Sequence, residues 1–231
     1  MKTIFLVSLL VSFASCQPKQ EYDLIIRNAT IYNGSGEKPF IGDVAIQADT
    51  IAEIATIINA KGKKEIETKG LALAPGFINM LSWADGSLLK DGRSMSDIKQ
   101  GVTLEVFGEG WSPGPRIKKD EKDSLWSTLG EYFETVERKG VSTNFASFVG
   151  ATTVRNYVLG FDNRLPNPQE LEQMKTLVNA AMEEGAMGLG SSLIYAPADY
   201  ADTNELIELC KVVSKYNGMY ITHMRSESDK I

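Results

Sequence analysis

From Gly76 onward, short apolar stretches alternate with helical stretches, and this alternation constrains the fold more than any other feature. A strand that is regularly followed by a helix is typical of parallel βαβ units. The sequence therefore predicts an α/β fold, with the first strands of a (β/α)₈ TIM barrel. The predicted strands are Phe77 to Trp83, Val102 to Phe107, Thr143 to Val149, Ala186 to Leu193 and Tyr220 to Met224.

The helices between these strands carry start and stop signals. Asn167-Pro168-Gln169-Glu170 supplies an N-cap, a first-turn proline and a capping-box acid in the expected order. The other predicted helices are Ser94 to Gln100, Leu125 to Lys139 and a last one that begins at Asp202 and Glu205. Five strands cannot close an eight-stranded barrel. An open sheet of five strands is possible in principle, but its last strand would be an uncovered parallel edge, so we expect the chain to be the N-terminal piece of a longer protein.

Residues 17–74 are predicted to form a small β domain ahead of residues 75–231, which hold the barrel part. Alternating strands at 23–27, 29–32, 42–47 and 50–54 are separated by turn residues such as Asn33-Gly34. The stretch contains no nucleophile, ligand cluster or phosphate-binding loop, so we expect a structural role for it.

Residues 1–16 have the pattern of a secretory signal. Lys2 supplies a positive start, Ile4 to Val11 an apolar stretch, and Phe13-Ala-Ser a small-residue exit into Cys16. The apolar stretch is too short to span a bilayer as a stable helix. It resembles a bacterial lipoprotein signal, which predicts lipidation at Cys16 and an exported protein, periplasmic or in the outer membrane. The alternative is a plain signal peptide cleaved nearby.

Composition argues against nucleic-acid binding and against a cysteine-based metal site or disulfide. The 231-residue chain has a net charge of −6, and its basic residues do not cluster into a patch, which argues against nucleic-acid binding. The two cysteines, Cys16 and Cys210, form neither a metal-binding nor a disulfide pattern.

Polar side chains follow the predicted strands, and in a barrel the strand ends surround one mouth. His223 is the single histidine of the chain, and imidazole is the commonest metal ligand. Each candidate also has a plain alternative: a turn cap for Asp85, a solvated acid for Glu109, packing for Tyr195, and a surface ion pair with Glu227 or Asp229 for Arg225. The mouth candidates are Asp85, Glu109, Thr152, Thr153, Ser191, Ser192, Tyr195, His223 and Arg225.

Several stretches, in order, resemble the N-acyl-D-amino-acid deacylases (D-aminoacylases) of the amidohydrolase superfamily. They are LAPGFIN at the domain junction, QGVTLEVFGEG, MGLGSSLIYAP and ITHMR. The resemblance runs from about Tyr22 to Ile231. It implies a β domain packed against a metal-bearing (β/α)₈ barrel that hydrolyses N-acyl amides, with the metal activating a water molecule.

The chain departs from the family pattern at the metal ligands. Where the family's first strand ends in His-x-His, this chain has Leu81 and Trp83, which cannot coordinate zinc. The family's Gly-Asn-Cys-Gly segment reads Gly108-Glu109-Gly110-Trp111 here, without a thiol. A family Gly-His is replaced by Gly150-Ala151, so His223 is the one recognisable family ligand.

Three interpretations follow from these departures. In the favoured one, a single zinc ion is bound by His223 and Glu109, with further ligands beyond Ile231, while Tyr195, Ser191 and Arg225 contact an N-acyl amino acid. In the second, the protein is a lipid-anchored binding protein without turnover. In the third, Glu109 and His223 catalyse a different acid–base reaction in a cavity without metal. The residues that perform catalysis and the oligomeric state are not predicted, and we expect the 231-residue chain alone to be inactive.

Overall fold

The computed structural model describes residues 21–117 and 125–228. The chain divides into two compact units, and the division falls between Pro75 and Gly76. The predicted signal peptide and the predicted lipidation site, Cys16, lie outside the described residues. Within the described ranges, no helix is both long and apolar enough to cross a membrane.

The first unit is built on a five-stranded sheet, whose strands are β1 (Glu21–Ile31), β2 (Phe40–Gln47), β3 (Thr50–Ala55), β4 (Lys61–Glu67) and β5 (Ala72–Leu73). Their order is β3-β2-β1-β4, and β5 also pairs with β1. β1 runs antiparallel to β2 but parallel to β4 and β5. The two strands predicted at 23–27 and 29–32 are one strand, β1. Its pairing with β2 shifts beside Asn28, which has a positive φ of 55°.

Arg27 is the main polar tie of this sheet. Its guanidinium contacts Asp43 at 2.9 Å and Glu65 at 3.0 Å, and it also donates to the carbonyl of Ile58. The hydrogen bond from Arg27, with a second one from the backbone of Gly62, lowers the pKa of Glu65 to about 2. These contacts join β1, β2 and β4. None of the contacting side chains belongs to a catalytic or metal-binding arrangement.

The second unit contains parallel strands that follow one another in chain order, as predicted. The strands are β6 (Phe77–Asn79), β7 (Val102–Phe107), β8 (Asn144–Ser147), β9 (Val149–Gly150), β10 (Gly188–Ser192) and β11 (Met219–His223). β6 pairs with β7, β7 with β8, β9 with β10, and β10 with β11, each in parallel. Phe148 alone separates β8 from β9, so together they form the third predicted strand.

The helices of the second unit are α1 (Asp85–Leu88), α2 (Met95–Ile98), α3 (Leu129–Lys139), α4 (Ala151–Leu159), α5 (Pro168–Glu183) and α6 (Thr203–Val213). The predicted capping box at Asn167 is present: its side chain accepts from the backbone of Gln169 and Glu170. α4 was not predicted. It begins directly after Gly150 without a side-chain cap, so the sequence carries no start signal for it.

The core of this unit lies where α4, α5 and α6 pack on β9 and β10. Buried residues in this cluster include Val154, Met174, Leu189 and Leu209. A second cluster, around Tyr132, joins α3 to Phe107 at the end of β7. These clusters hold the carboxyl ends of the strands in fixed positions, and the polar side chains that follow them are described next.

Candidate functional site

Glu109 and His223 lie together at the carboxyl ends of their strands. The Nδ1 atom of His223 is 3.9 Å from an Oε2 oxygen of Glu109, and the side chains are 25% and 17% exposed. Glu109 follows β7, and His223 is the last residue of β11. The structure therefore brings together the two residues predicted as metal ligands, in a partly desolvated position.

Two further side chains contact the imidazole of His223. Its Nε2 atom lies 2.8 Å from Oε1 of Glu227, four residues later in the chain. The phenol ring of Tyr195 meets the imidazole edge-on, with ring centroids 5.5 Å apart. Tyr195 is still 58% exposed, so it borders the open side of this cluster. Sequence reasoning treated Glu227 only as a surface partner of Arg225; its spacing of four residues from His223 was the available signal.

Glycines allow the loop after β7 to lie against the neighbouring strands and carry Glu109 to His223. A Cβ atom on Gly190 would lie 2.0 Å from the carbonyl oxygen of Gly108, and one on Gly150 would lie 2.1 Å from that of Gly110. Gly108 itself has a φ of +95° and Gly110 one of +90°, which L side chains rarely adopt. The backbone of this loop is therefore in direct contact with the backbones of β9 and β10, at positions where a side chain would not fit. Sequence reasoning did not use these glycines, although GEG and GLG carried the signal.

The adjacent serines of β10 have different roles. The hydroxyl of Ser192 donates to the carbonyl of Glu109 at 2.7 Å and so fixes the loop that bears this carboxylate. Ser191 points the opposite way, because side chains alternate along a strand. It is fully buried, and its hydroxyl lies 2.7 Å from those of Tyr220 and Thr222. The structure does not bring Ser191, predicted to contact substrate, together with Glu109 and His223.

Arg225 ties the end of β11 to the loop after β10. Its Nη2 atom donates to the carbonyl of Ala201 at 2.6 Å, and Nη1 lies 3.4 Å from the carbonyl of Asp199. This loop also carries Tyr195. The surface pairing with Glu227, considered from the sequence, is not formed, because Glu227 contacts His223 instead.

The remaining predicted members of the mouth do not join the cluster. Thr152 and Thr153 belong to the first turn of α4, and both are buried. The hydroxyl of Thr153 accepts from the backbone of Ser112, whereas that of Thr152 has no partner among the described residues. Asp85 begins α1, and its carbonyl accepts from the hydroxyl of Tyr132. These residues support the loops around the mouth.

Leu81 and Trp83 follow β6 and are 48% and 60% exposed. Ser82, between them, is buried and donates its hydroxyl to Glu105 at 2.7 Å. The carboxylate of Glu105 is fully buried and also accepts from the hydroxyls of Ser94 and Thr143. The end of β6 is therefore fixed in place, but it presents apolar side chains and no metal donor.

The family resemblance implies a bound zinc ion, and the described residues provide part of a binding site for it. Glu109 and Glu227 face opposite nitrogens of His223, so one ion can share the imidazole with only one of these carboxylates. Within residues 21–117 and 125–228, no group of three or more His, Cys, Asp or Glu side chains could hold an ion. An imidazole and a carboxylate are normal zinc donors, but a closed zinc site uses four ligands and a catalytic one three. The described residues therefore fit as two donors of a larger set.

No family model matches the chain. Over 223 residues the chain is 32% identical to a D-aminoacylase of Alcaligenes xylosoxydans xylosoxydans. That alignment covers 92% of this chain and 46% of the relative, so the chain spans about half the relative's length.

Two solved structures are similar in fold. One is a D-aminoacylase with a binuclear metal centre, for which one-metal activation and second-metal attenuation are described; it has a TM-score of 0.79 and 29% identity, covering 89% of this chain and 46% of that one. The other is an N-acyl-D-glutamate deacylase from Bordetella bronchiseptica, complexed with zinc and a phosphonate inhibitor. Its TM-score is 0.80 at 24% identity, covering 90% of this chain and 46% of that one, a likeness that shows the fold alone.

Proposed function

Because the chain is a divergent relative of the D-aminoacylases over about nine tenths of its length, we propose that the protein is an amidohydrolase that cleaves N-acyl amino acids. The observation that carries this proposal is the approach of Glu109 to Nδ1 of His223 at 3.9 Å. Two candidate donors from separate strands meet at the carboxyl ends, where barrel enzymes place their chemistry.

The residues have separate roles in this proposal. Glu109 and His223 hold one zinc ion, together with ligands from outside the described residues. When bound, the ion lowers the pKa of a water molecule and polarises the substrate carbonyl. Tyr195 borders the imidazole and is exposed enough to touch a substrate. Arg225 keeps guanidinium N–H groups beyond the two that face Asp199 and Ala201, and these would pair with the substrate carboxylate.

The whole protein, in this proposal, is an eight-stranded barrel, and β6 to β11 are its first five strands. Their chain order and parallel pairing support this. Ligands from later strands would complete the zinc site that Glu109 and His223 begin.

Metal analysis of the full-length protein tests the proposal. We expect about one zinc per chain in the wild type, and loss of zinc in both Glu109→Ala and His223→Ala. Glu172→Ala is the matched control, since Glu172 lies on an exposed part of α5 and pairs with Lys175. A wild-type protein without zinc after growth in zinc-supplemented medium would contradict the proposal.

A second candidate function is a binding protein without turnover. Leu81 and Trp83, which lack any metal donor at the end of β6, favour it. Release of free amino acid from N-acetyl-D-amino acids, lost on chelation and restored by zinc, would support the enzyme. Saturable binding of the same compounds without product would support the binding protein.

We also propose that the protein is exported and anchored to a membrane through a lipid on Cys16. The signal pattern of residues 1–16 supports this. One acyl chain gives only marginal membrane binding, so stable anchoring would depend on the several chains of a bacterial lipoprotein. Incorporation of labelled palmitate into the wild type, and none into Cys16→Ser, is the expected result.

A further inference from the structure

The imidazole of His223 lies between two carboxylates that are placed unequally. Glu227 is 2.8 Å from Nε2, which is a normal hydrogen-bond distance, whereas Glu109 is 3.9 Å from Nδ1, which is too long for one. A neutral imidazole carries its hydrogen on one nitrogen and a lone pair on the other. The carboxylate that forms the hydrogen bond therefore decides which nitrogen keeps the lone pair.

We propose that Glu227 is a positioning residue that holds His223 in the tautomer with hydrogen on Nε2, so that the lone pair of Nδ1 faces Glu109. This inference rests on the proposed zinc-dependent function and adds a residue to it. A ligating histidine usually donates its other ring N–H to a carboxylate, which fixes the tautomer and strengthens the ligand. Glu227 stands in that relation to His223, and Glu109 stands on the side of the lone pair.

The surroundings of the ring favour this orientation. The carbonyl of His223 accepts from the backbone of Leu193, which fixes the main chain at the end of β11. Tyr195 packs against the ring by its edge and limits its rotation. Glu227 itself is 68% exposed, so its substitution removes the hydrogen bond without opening a cavity.

The opposite arrangement would place an ion on Nε2, with Glu227 as its ligand and the hydrogen on Nδ1. The two arrangements predict different tautomers in the absence of metal. They can be separated before any zinc is added.

The first test is the tautomer of His223 in the metal-free full-length protein, by ¹⁵N-histidine NMR in alkaline solution. His223 is the single histidine of residues 1–231, and in the full-length protein its resonances are those that disappear in His223→Gln. We expect hydrogen on Nε2 in the wild type. Glu227→Ala should give a mixture of tautomers, while Glu227→Gln, which keeps an acceptor oxygen, should restore the wild-type state.

Glu172→Ala is the control, since Glu172 is 70% exposed and lies on α5. Hydrogen on Nδ1 in the wild type, or a tautomer unchanged in Glu227→Ala, would overturn the proposal.

Zinc titration then separates this proposal from the proposed function. We expect zinc to shift the Nδ1 resonance, and chelator competition to show about 10–100-fold weaker zinc binding in Glu227→Ala than in the wild type. If the tautomer follows Glu227 but zinc shifts neither nitrogen, the zinc function fails and the positioning role stands. If zinc shifts Nε2, the positioning role fails while the metal site survives.

Discussion

The two halves of the second unit are built alike but end differently. In the first half, β6 to β8, the buried carboxylate of Glu105 accepts from three hydroxyls, those of Ser82, Ser94 and Thr143. In the second half, β9 to β11, the buried carboxylate of Glu205 is paired with the guanidinium of Arg155. Each half thus contains a buried acid that joins separate elements.

At the strand ends the halves diverge. β6 leads to Leu81 and Trp83, while β11 leads to His223, with Glu109 and Tyr195 beside it. The end of β6 is nevertheless ordered, because Ser82, between Leu81 and Trp83, is hydrogen-bonded to the buried Glu105. The two halves therefore differ in the side chains that they present at their strand ends.

The largest effect is expected at the ion pair of the second half. Arg155→Met should leave Glu205 buried without its cation and lower the free energy of unfolding by about 3–5 kcal/mol, measured by urea denaturation. Both side chains are at most 2% exposed. Arg155 also donates to the carbonyls of Asp162 and Arg164, so its loss also affects the loop between α4 and α5. Arg164→Ala, which breaks an exposed pair with Glu170, should cost only about 0–1 kcal/mol.

The cost of Arg155→Met should depend on pH. Burial raises the pKa of Glu205, and Arg155 opposes this rise. A carboxyl with a raised folded-state pKa contributes stability below its unfolded pKa of about 4.3 and loses it as pH rises through the folded value. Without Arg155 the folded pKa rises further, so the deficit relative to the wild type should be larger at pH 7 than at pH 5. A deficit equal at both values would show that the loss of Arg155 does not change the protonation of Glu205 between pH 5 and pH 7.

The next prediction tests whether the strand ends of the two halves surround the same mouth. Leu81→His combined with Trp83→His would place two imidazoles where the first half now has apolar side chains. Because even the hydrogen-bonding partners of ligands contribute about 10–100-fold to metal affinity, two new ligands should raise zinc affinity by at least about 100-fold. Chelator competition measures this. An unchanged affinity would show that the end of β6 and the end of β11 do not meet at one ion.

A smaller loss of stability is expected at Gly190, where β10 contacts the loop that follows β7. Gly190→Ala would bring a Cβ atom to 2.0 Å from the carbonyl oxygen of Gly108 and 3.1 Å from the Cα atom of Glu109. We expect a loss of about 1–3 kcal/mol in the free energy of unfolding, and weaker zinc binding as Glu109 is displaced. Gly86→Ala is the control, because a Cβ atom there meets nothing within 4 Å and its φ is not positive. Equal stability of both variants would show that the loop adapts freely.

The sequence allowed some of this arrangement to be predicted. Parallel strand order follows from the alternation of strands and helices, and the meeting of Glu109 with His223 follows from the convergence of strand ends. The capping box at Asn167 is a local signal and was confirmed.

Other features depend on packing between distant segments, which leaves no local signal. α4 starts after Gly150 without a capping side chain. The face to which Ser191 points depends on strand register, and the carbonyl partners of Arg225 belong to a loop more than twenty residues earlier.

The smallest effect is expected at Glu105, the buried carboxylate of the first half that accepts from three hydroxyls. Glu105→Gln keeps the size of the side chain, and a hydroxyl can reorient to accept from the new amide as readily as it donates to a carboxylate. We therefore expect a cost of about 1 kcal/mol, well below that of Arg155→Met, which leaves the buried carboxylate of Glu205 without its cation. Urea denaturation of Glu105→Gln beside Glu105→Leu measures it. The leucine variant leaves the hydroxyls of Ser82, Ser94 and Thr143 without their acceptor, so it should be the less stable of the two. A glutamine variant as unstable as Arg155→Met would mean that the first half, like the second, depends on a buried charge.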